Sequence, residues 1–241
     1  MPSGWIRYGV THVLGIPLLL AGLALAAQHS GLDVALSQMF YDIPTGVFPM
    51  RRAVFLEMAG HRFLLALPIV ACVIALGMLW VCRKDSALRV LRNALILFLL
   101  SMALTPITIS QLKHLTTMPR PFNATLFGGQ APMDVTFWRS VVQKAGHALP
   151  SNHAGAGYSL MTLYFFGWAV QNTTLRWAGL ALGILAGLSF SIIRIMQGAH
   201  FLSQTIWSAC VVWLIASLAF APLLIHSRAR GHTPLARKSH P

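Results

Sequence analysis

"LRNALILFLLSMALTPITISQLKHLTTMPRP", residues 91–121, opens as an apolar run and closes on lysine, histidine, proline and arginine. About 20 apolar residues carry a helix across the hydrocarbon core of a bilayer. Residues 91–111 meet that length, with no ionisable side chain after Arg92. The stretch therefore reads as a spanning helix that delivers Lys113 and Arg120 to one membrane surface. This reading decides the fold, because the rest of the chain repeats the same alternation of apolar run and polar loop.

Five further runs match it, at approximately 9–28, 62–82, 155–172, 177–196 and 205–225. The composition agrees. Of 241 residues, 56% are hydrophobic and 10% charged, where a soluble domain carries about 25% charged residues. An all-α polytopic membrane protein with six transmembrane helices is expected, as a single domain over residues 1–226. The first run lacks the small-residue cleavage pattern of a removed signal peptide and is read as retained. In the loop between the first two spans, "LSQMFYDIPTGVFPMRRAVFLEM" (36–58) mixes aromatic and apolar residues with charges, the pattern of a helix lying at the interface. Residues 227–241 form a basic tail, expected to be disordered on an anionic leaflet. Cys72, Cys82 and Cys210 fall in or beside apolar runs, with neither disulfide nor zinc spacing.

Net charge is +13. The basic residues sit in short loops between apolar runs, which speaks for membrane topology and anionic ligands and against nucleic acid. With six alternating spans, Arg7, Arg83, Lys84, Arg89, Arg92, Arg176, Arg228, Arg230, Arg237 and Lys238 share one side. The positive-inside rule makes that side cytoplasmic, with both termini on it. The cations of the other side, Arg51, Arg52, Arg62, Lys113, Arg120, Arg139, Lys144 and Arg194, are nearly as many. They need a reason of their own.

Three clusters on that outer side supply one. "KHLTTMPRP" (113–121) follows span 3, "PSNH" (150–153) precedes span 4, and "RIMQGAHFLSQ" (194–204) joins spans 5 and 6. Lys113, Arg120 and Arg194 could surround a dianion, arginine offering a planar fork matched to phosphate oxygens. Ser151 adds a hydroxyl, and a helix starting near it would turn backbone N–H groups toward the same anion. Of the two histidines, one can attack phosphorus and the other protonate the leaving alkoxide. Such chemistry rests on positioning and charge stabilisation. Neither metal nor cofactor is called for, and few carboxylates are at hand to hold one.

These residues resemble the signature of the type 2 phosphatidic acid phosphatase family, within the acid phosphatase and vanadium haloperoxidase superfamily. That signature reads Lys-x6-Arg-Pro, then Pro-Ser-Gly-His, then Arg-x5-His-x3-Asp. Lys113, Arg120 and Pro121 match the first piece; Pro150, Ser151 and His153 the second; Arg194 and His200 the third. Order and spacing agree across roughly residues 100–210, most closely with a bacterial membrane subgroup. The resemblance implies that His200 is the nucleophile and His153 the acid. It implies that Lys113, Arg120, Ser151, Asn152 (through its backbone N–H) and Arg194 bind phosphate. It further implies a membrane-lipid substrate, such as undecaprenyl pyrophosphate, lipid A or phosphatidylglycerol phosphate, met at the outer face of a bacterial inner membrane. A lipid-to-lipid phosphotransferase and a catalytically silent lipid-phosphate-binding protein are the alternatives. A transporter is disfavoured, since spans 1, 2, 4 and 6 carry no ionisable residue at depth.

Two positions depart from the pattern. Asn152 replaces glycine, and asparagine tolerates unusual φ better than most residues. Gln204 replaces the aspartate that would orient His200. Three arrangements meet the need: the amide orients the ring, a carboxylate from Glu57, Asp42 or Asp134 substitutes, or the site binds without turnover. Retention of the other positions favours the first. His61, His114 and His147 read as neighbours of the site. Arg139 and Lys144 read as solvated loop charges, Arg51 and Arg52 as headgroup anchors, and Gly179, Gly183 and Gly187 as a close-packing stripe.

Overall fold

The computed structural model describes residues 4–58, 63–85, 87–133 and 147–230, with side chains through 225. His61, Arg62, Asp134, Arg139 and Lys144 lie outside the described residues, as does the tail from 231 onward. The helices are α1 Gly4–His29, α2 Leu32–Gln38, α3 Val54–Glu57, α4 Leu65–Cys82, α5 Arg89–Leu115, α6 over 152–169, α7 Thr173–Met196 and α8 Leu202–Arg230. No strand occurs among the described residues. Helix α8 continues to Arg230.

Among the described residues, α1, α4, α5, α7 and α8 are five helices long and apolar enough to cross a membrane. The fourth expected span, 155–172, takes a different form. It starts at Asn152, and a tight turn at Ser159–Met161 joins the helices Asn152–Tyr158 and Thr162–Ala169. The Ser159 hydroxyl donates to the Ala156 carbonyl at 2.7 Å, a local bond that competes with helix continuation. The expected single interfacial helix is also divided. Pro44, Gly46 and Pro49 interrupt residues 36–58, leaving a tight turn at Pro49–Arg52 and the four-residue α3.

Helix α8 packs along α1, α5 and α6, while α7 packs along α6 and α4 along α5. Their shared core gathers Phe98, Phe165, Trp213 and Phe220. Gly179, Gly183 and Gly187 let α7 close onto Leu163, Met161 and Tyr158 of α6, which is what a small-residue stripe permits. A second core lies in the loops, with Phe48, Met118, Phe127, Leu149 and Phe201 together. It fastens the first loop and the 116–133 loop over one end of the bundle. At that end α5 and α7 finish, and α6 and α8 begin.

Candidate active site

The turn between α7 and α8 is built by its sequence. The Gly198 N–H bonds to the Ile195 carbonyl, and the Ala199 N–H to the Arg194 carbonyl, both at 2.9 Å. Gly198 sits at φ +62. This is the Schellman ending, which places a glycine one residue beyond the helix cap. A methyl on Gly198 would meet the Phe48 ring at 2.5 Å, so space as well as φ requires glycine there. The turn leaves Arg194 on the last turn of α7 and drops His200 into the protein, 2% exposed.

Gln204 sets the state of His200. The Gln204 Nε2 donates to the Pro119 carbonyl at 2.9 Å, and its Oε1 accepts from the Phe201 N–H at 3.1 Å. A backbone carbonyl only accepts and a backbone N–H only donates, so the amide has one orientation. The atom 3.1 Å from His200 Nδ1 is therefore the oxygen. His200 carries its proton on Nδ1 and leaves Nε2 with a free lone pair. Burial, followed by the charges of Lys113 and Arg194, holds the imidazole well below its usual value, against the pull of the Gln204 bond. His200 is a buried neutral base.

The three clusters interlock. The Thr116 hydroxyl donates to the Leu149 carbonyl at 2.7 Å, joining the first to the second. Gln204 and Pro119 join the third to the first. The Ser151 N–H reaches the Ser208 hydroxyl at 2.8 Å and the Gln204 carbonyl at 3.3 Å, joining the second to the third. Ser151 is fully buried and caps α6, accepting from the Ala154 N–H at 3.4 Å. Asn152 is exposed on the first turn, and half-buried His153 follows it, its ring 6.1 Å from that of Phe190.

Lys113, Arg120 and Arg194 act on one another and on His200 as neighbouring like charges. Arg194 is held by Gln197, whose Oε1 accepts from it at 2.8 Å, while its Nε is buried without a hydrogen-bond partner. Glu57 also acts on Arg194 electrostatically. Arg51 lies over the Phe122 ring at 3.7 Å, with Arg120 at 5.7 Å from the same ring. Arg51 and Arg120 thus share one aromatic ring. His114 and His147 pack edge to face on each other at 4.9 Å.

Two of the three carboxylates weighed for His200 have other partners, and Asp134 lies outside the described residues. Asp42 accepts from the Thr45 hydroxyl, and Glu57 faces Arg194. Asp33 had not drawn notice, yet it is buried and receives both the backbone N–H and the hydroxyl of Ser203 on the first turn of α8. Gln197, Gly198 and Ser208 also escaped the motif. Only Gly198 carried a readable signal, as a glycine following an apolar helix.

The arrangement is a buried imidazole beside three cations, with the Glu57 carboxylate acting on Arg194 alone among the described residues, and such a concentration of positive charge is what a phosphate dianion requires. No curated protein and no solved structure matches this chain. The profile of the PAP2 superfamily matches residues 94–224, more than half of the chain and every one of the three clusters. The chain belongs to that superfamily, the type 2 phosphatidic acid phosphatases, and its function is of the phosphatase type, exercised on phosphorylated substrates.

Proposed function

We propose that the protein is a membrane lipid phosphatase working through a phosphohistidine. Lys113, Arg120, Arg194, Ser151 and the Asn152 N–H hold the phosphate of a phosphomonoester or pyrophosphate. The His200 Nε2 lone pair attacks phosphorus in line, forming an N–P bond as the P–O bond to the lipid breaks. His153 passes its proton to the leaving oxygen. Water, giving a proton back to His153, then cleaves the N–P bond and frees inorganic phosphate. Positioning and fixed positive charge carry such a transfer.

The observation that supports this reading is the orientation of Gln204. An amide can replace the carboxylate that usually steadies a catalytic histidine, provided that its oxygen faces Nδ1. Here Pro119 and Phe201 dictate that it does. A neutral partner leaves His200 less basic than a carboxylate would. Three surrounding cations press the same way, so the attacking form needs no deprotonation. The apolar spans and the cations gathered at one end support a lipid substrate met at the outer leaflet of an inner membrane, with both termini cytoplasmic.

The test is turnover in non-ionic detergent with chelator present, on a panel of lipid phosphates and pyrophosphates. Phosphate release is expected, together with a transient radiolabel on the protein that His200→Ala abolishes. Binding of these lipids without turnover of any of them would reduce the site to a receptor. A reporter fused to the C-terminus checks the orientation, and activity of that reporter in the periplasm would reverse it.

A further inference from the structure

The opposite end of the bundle carries a second polar cluster that the reaction does not use. A cleft of about 230 Å³ there is lined by Arg7, Tyr8, Thr11, His12, Trp168 and Arg176. Arg176 stands on the first turn of α7, and Gly167 lets the end of α6 come so close that any side chain there would run into the Arg176 backbone. The guanidinium sits 4.1 Å from the Trp168 ring centroid and 4.5 Å from that of Tyr164, and donates to the Tyr164 hydroxyl.

A chain of hydrogen bonds runs through the cluster. The Thr11 hydroxyl donates to the Arg7 carbonyl at 2.8 Å, so it accepts from His12 Nδ1 at 2.6 Å. His12 Nε2 lies 3.1 Å from the Tyr164 hydroxyl, whose oxygen accepts from Arg176. Arg176 Nε is buried with no hydrogen-bond partner. Among the described residues no carboxylate lines the cleft. The charge also sits at the positive end of α7, where the helix dipole disfavours a cation and favours an anion. Arg7 adds a second guanidinium. A half-buried guanidinium lining a cleft that holds no carboxylate among the described residues is completed by an anion.

We propose that Arg176 and Arg7 form a second anion site, at the membrane face opposite His200, that takes a phosphate group. An anionic phospholipid of that leaflet is the natural carrier, since basic pockets between spanning helices hold such headgroups. Free phosphate offers the same chemistry. The aromatic wall formed by Tyr8 and Trp168 suits the boundary where a headgroup meets its chains. This site is independent of turnover at His200.

The experiment is a thermal-unfolding titration of the full chain in non-ionic detergent. The probes are phosphatidylglycerol in mixed micelles, phosphatidylcholine as the zwitterionic control, and inorganic phosphate. Phosphatidylglycerol is expected to raise the midpoint where phosphatidylcholine does not. Arg176→Gln should weaken its apparent affinity about tenfold, the scale of one charge-assisted contact. Arg7→Gln, on an exposed side chain that leaves the packing intact, should weaken it several-fold. Should Arg176→Gln fail to fold, Arg176→Lys, which keeps the stem and charge but loses the fork, takes its place. A shift produced equally by inorganic phosphate, and lost in the same variants, assigns the site to a free anion. Phosphate binding at the His200 end is recognised because it survives in these variants. Equal shifts in the natural chain and in all the variants, or no shift with either probe, overturn the proposal.

Discussion

Helix α7 carries an arginine at each end, Arg176 on its first turn and Arg194 on its last. Each has a buried Nε with no hydrogen-bond partner. The two differ in what surrounds them. Arg194 is held by the Gln197 amide and faces cations and a histidine. Arg176 is held by ring faces and a phenol. The helix dipole favours a cation at the last turn and disfavours one at the first, by about 0.3–1 kcal/mol in each case. Two half-buried arginines on one helix thus serve different ends. In the proposed reaction the Arg194 end brings His200 and His153 to the anion, whereas at the Arg176 end the histidine and the phenol are bonded to each other.

The comparison breaks most sharply in activity. His200→Ala should leave no turnover, and Arg194→Ala should cost about 10²–10³-fold in kcat, the scale of losing one preorganised donor. Arg176→Ala should change kcat on the same lipid by no more than about twofold. Equal losses at the two ends would mean that the distinction between them is false.

Stability separates the ends next. Gln204→Leu strips a partner from Pro119, Phe201 and His200 at once, all inside a fully buried cluster. Each orphaned group costs about 1–3 kcal/mol, so denaturant melts should show a loss above about 3 kcal/mol. Gln204→Asp is also expected to lose stability and activity, because a carboxylate cannot donate to Pro119. A large gain in turnover from Gln204→Asp would show instead that the amide is a handicap.

A pH titration sharpens the contrast further. His200 is held below its ordinary value of about 6.5, so the unfolded chain takes up a proton that the folded one refuses. Its contribution to stability is complete above about pH 6.5 and is lost as the pH falls below that value. Nitrogen-15 NMR of the histidines should show His200 neutral, with Nδ1 protonated, at pH 6.5. Lys113→Gln removes a repelling charge and should move the His200 titration upward, shrinking the acid-linked loss. A His200 already protonated at pH 6.5 would contradict the buried-base description.

What the sequence could and could not disclose follows from the range of the forces. The spans are legible because the bilayer imposes a length, and Leu65–Cys82 and Arg89–Leu115 fall close to the expected limits. Span 4 escapes that logic: Ser159 diverts its own helix by a local bond, and its packing inside the bundle removes the need for continuous apolar length. The gathering of Lys113, Ser151 and Arg194 at one end follows from span parity. Their interlocking does not, because it runs through backbone carbonyls of Pro119, Leu149 and Gln204, which any sequence would offer. The role of Gln204 was an open choice in the sequence, and the bond to Pro119, 85 residues away, sets which way its amide faces. The Arg176 cluster belongs to no motif. It exists because α1, α6 and α7 meet there.

Asp33 gives the smallest and most local test. It reaches from α2 to the start of α8, accepting from the Ser203 N–H at 2.8 Å and from the Ser203 hydroxyl. In this way an α2 residue caps the helix that positions Gln204. Burial raises the Asp33 carboxyl above its usual range, with the bonds from Ser203 and Leu202 opposing. Part of what the cap supplies is therefore offset by desolvation of its charge. Asp33→Ala should cost about 1 kcal/mol, as cap removals do. Asp33→Asn, which can still accept from the N–H but carries no charge, should cost less. If Asp33→Asn is the more damaging, the carboxylate's charge matters beyond the cap.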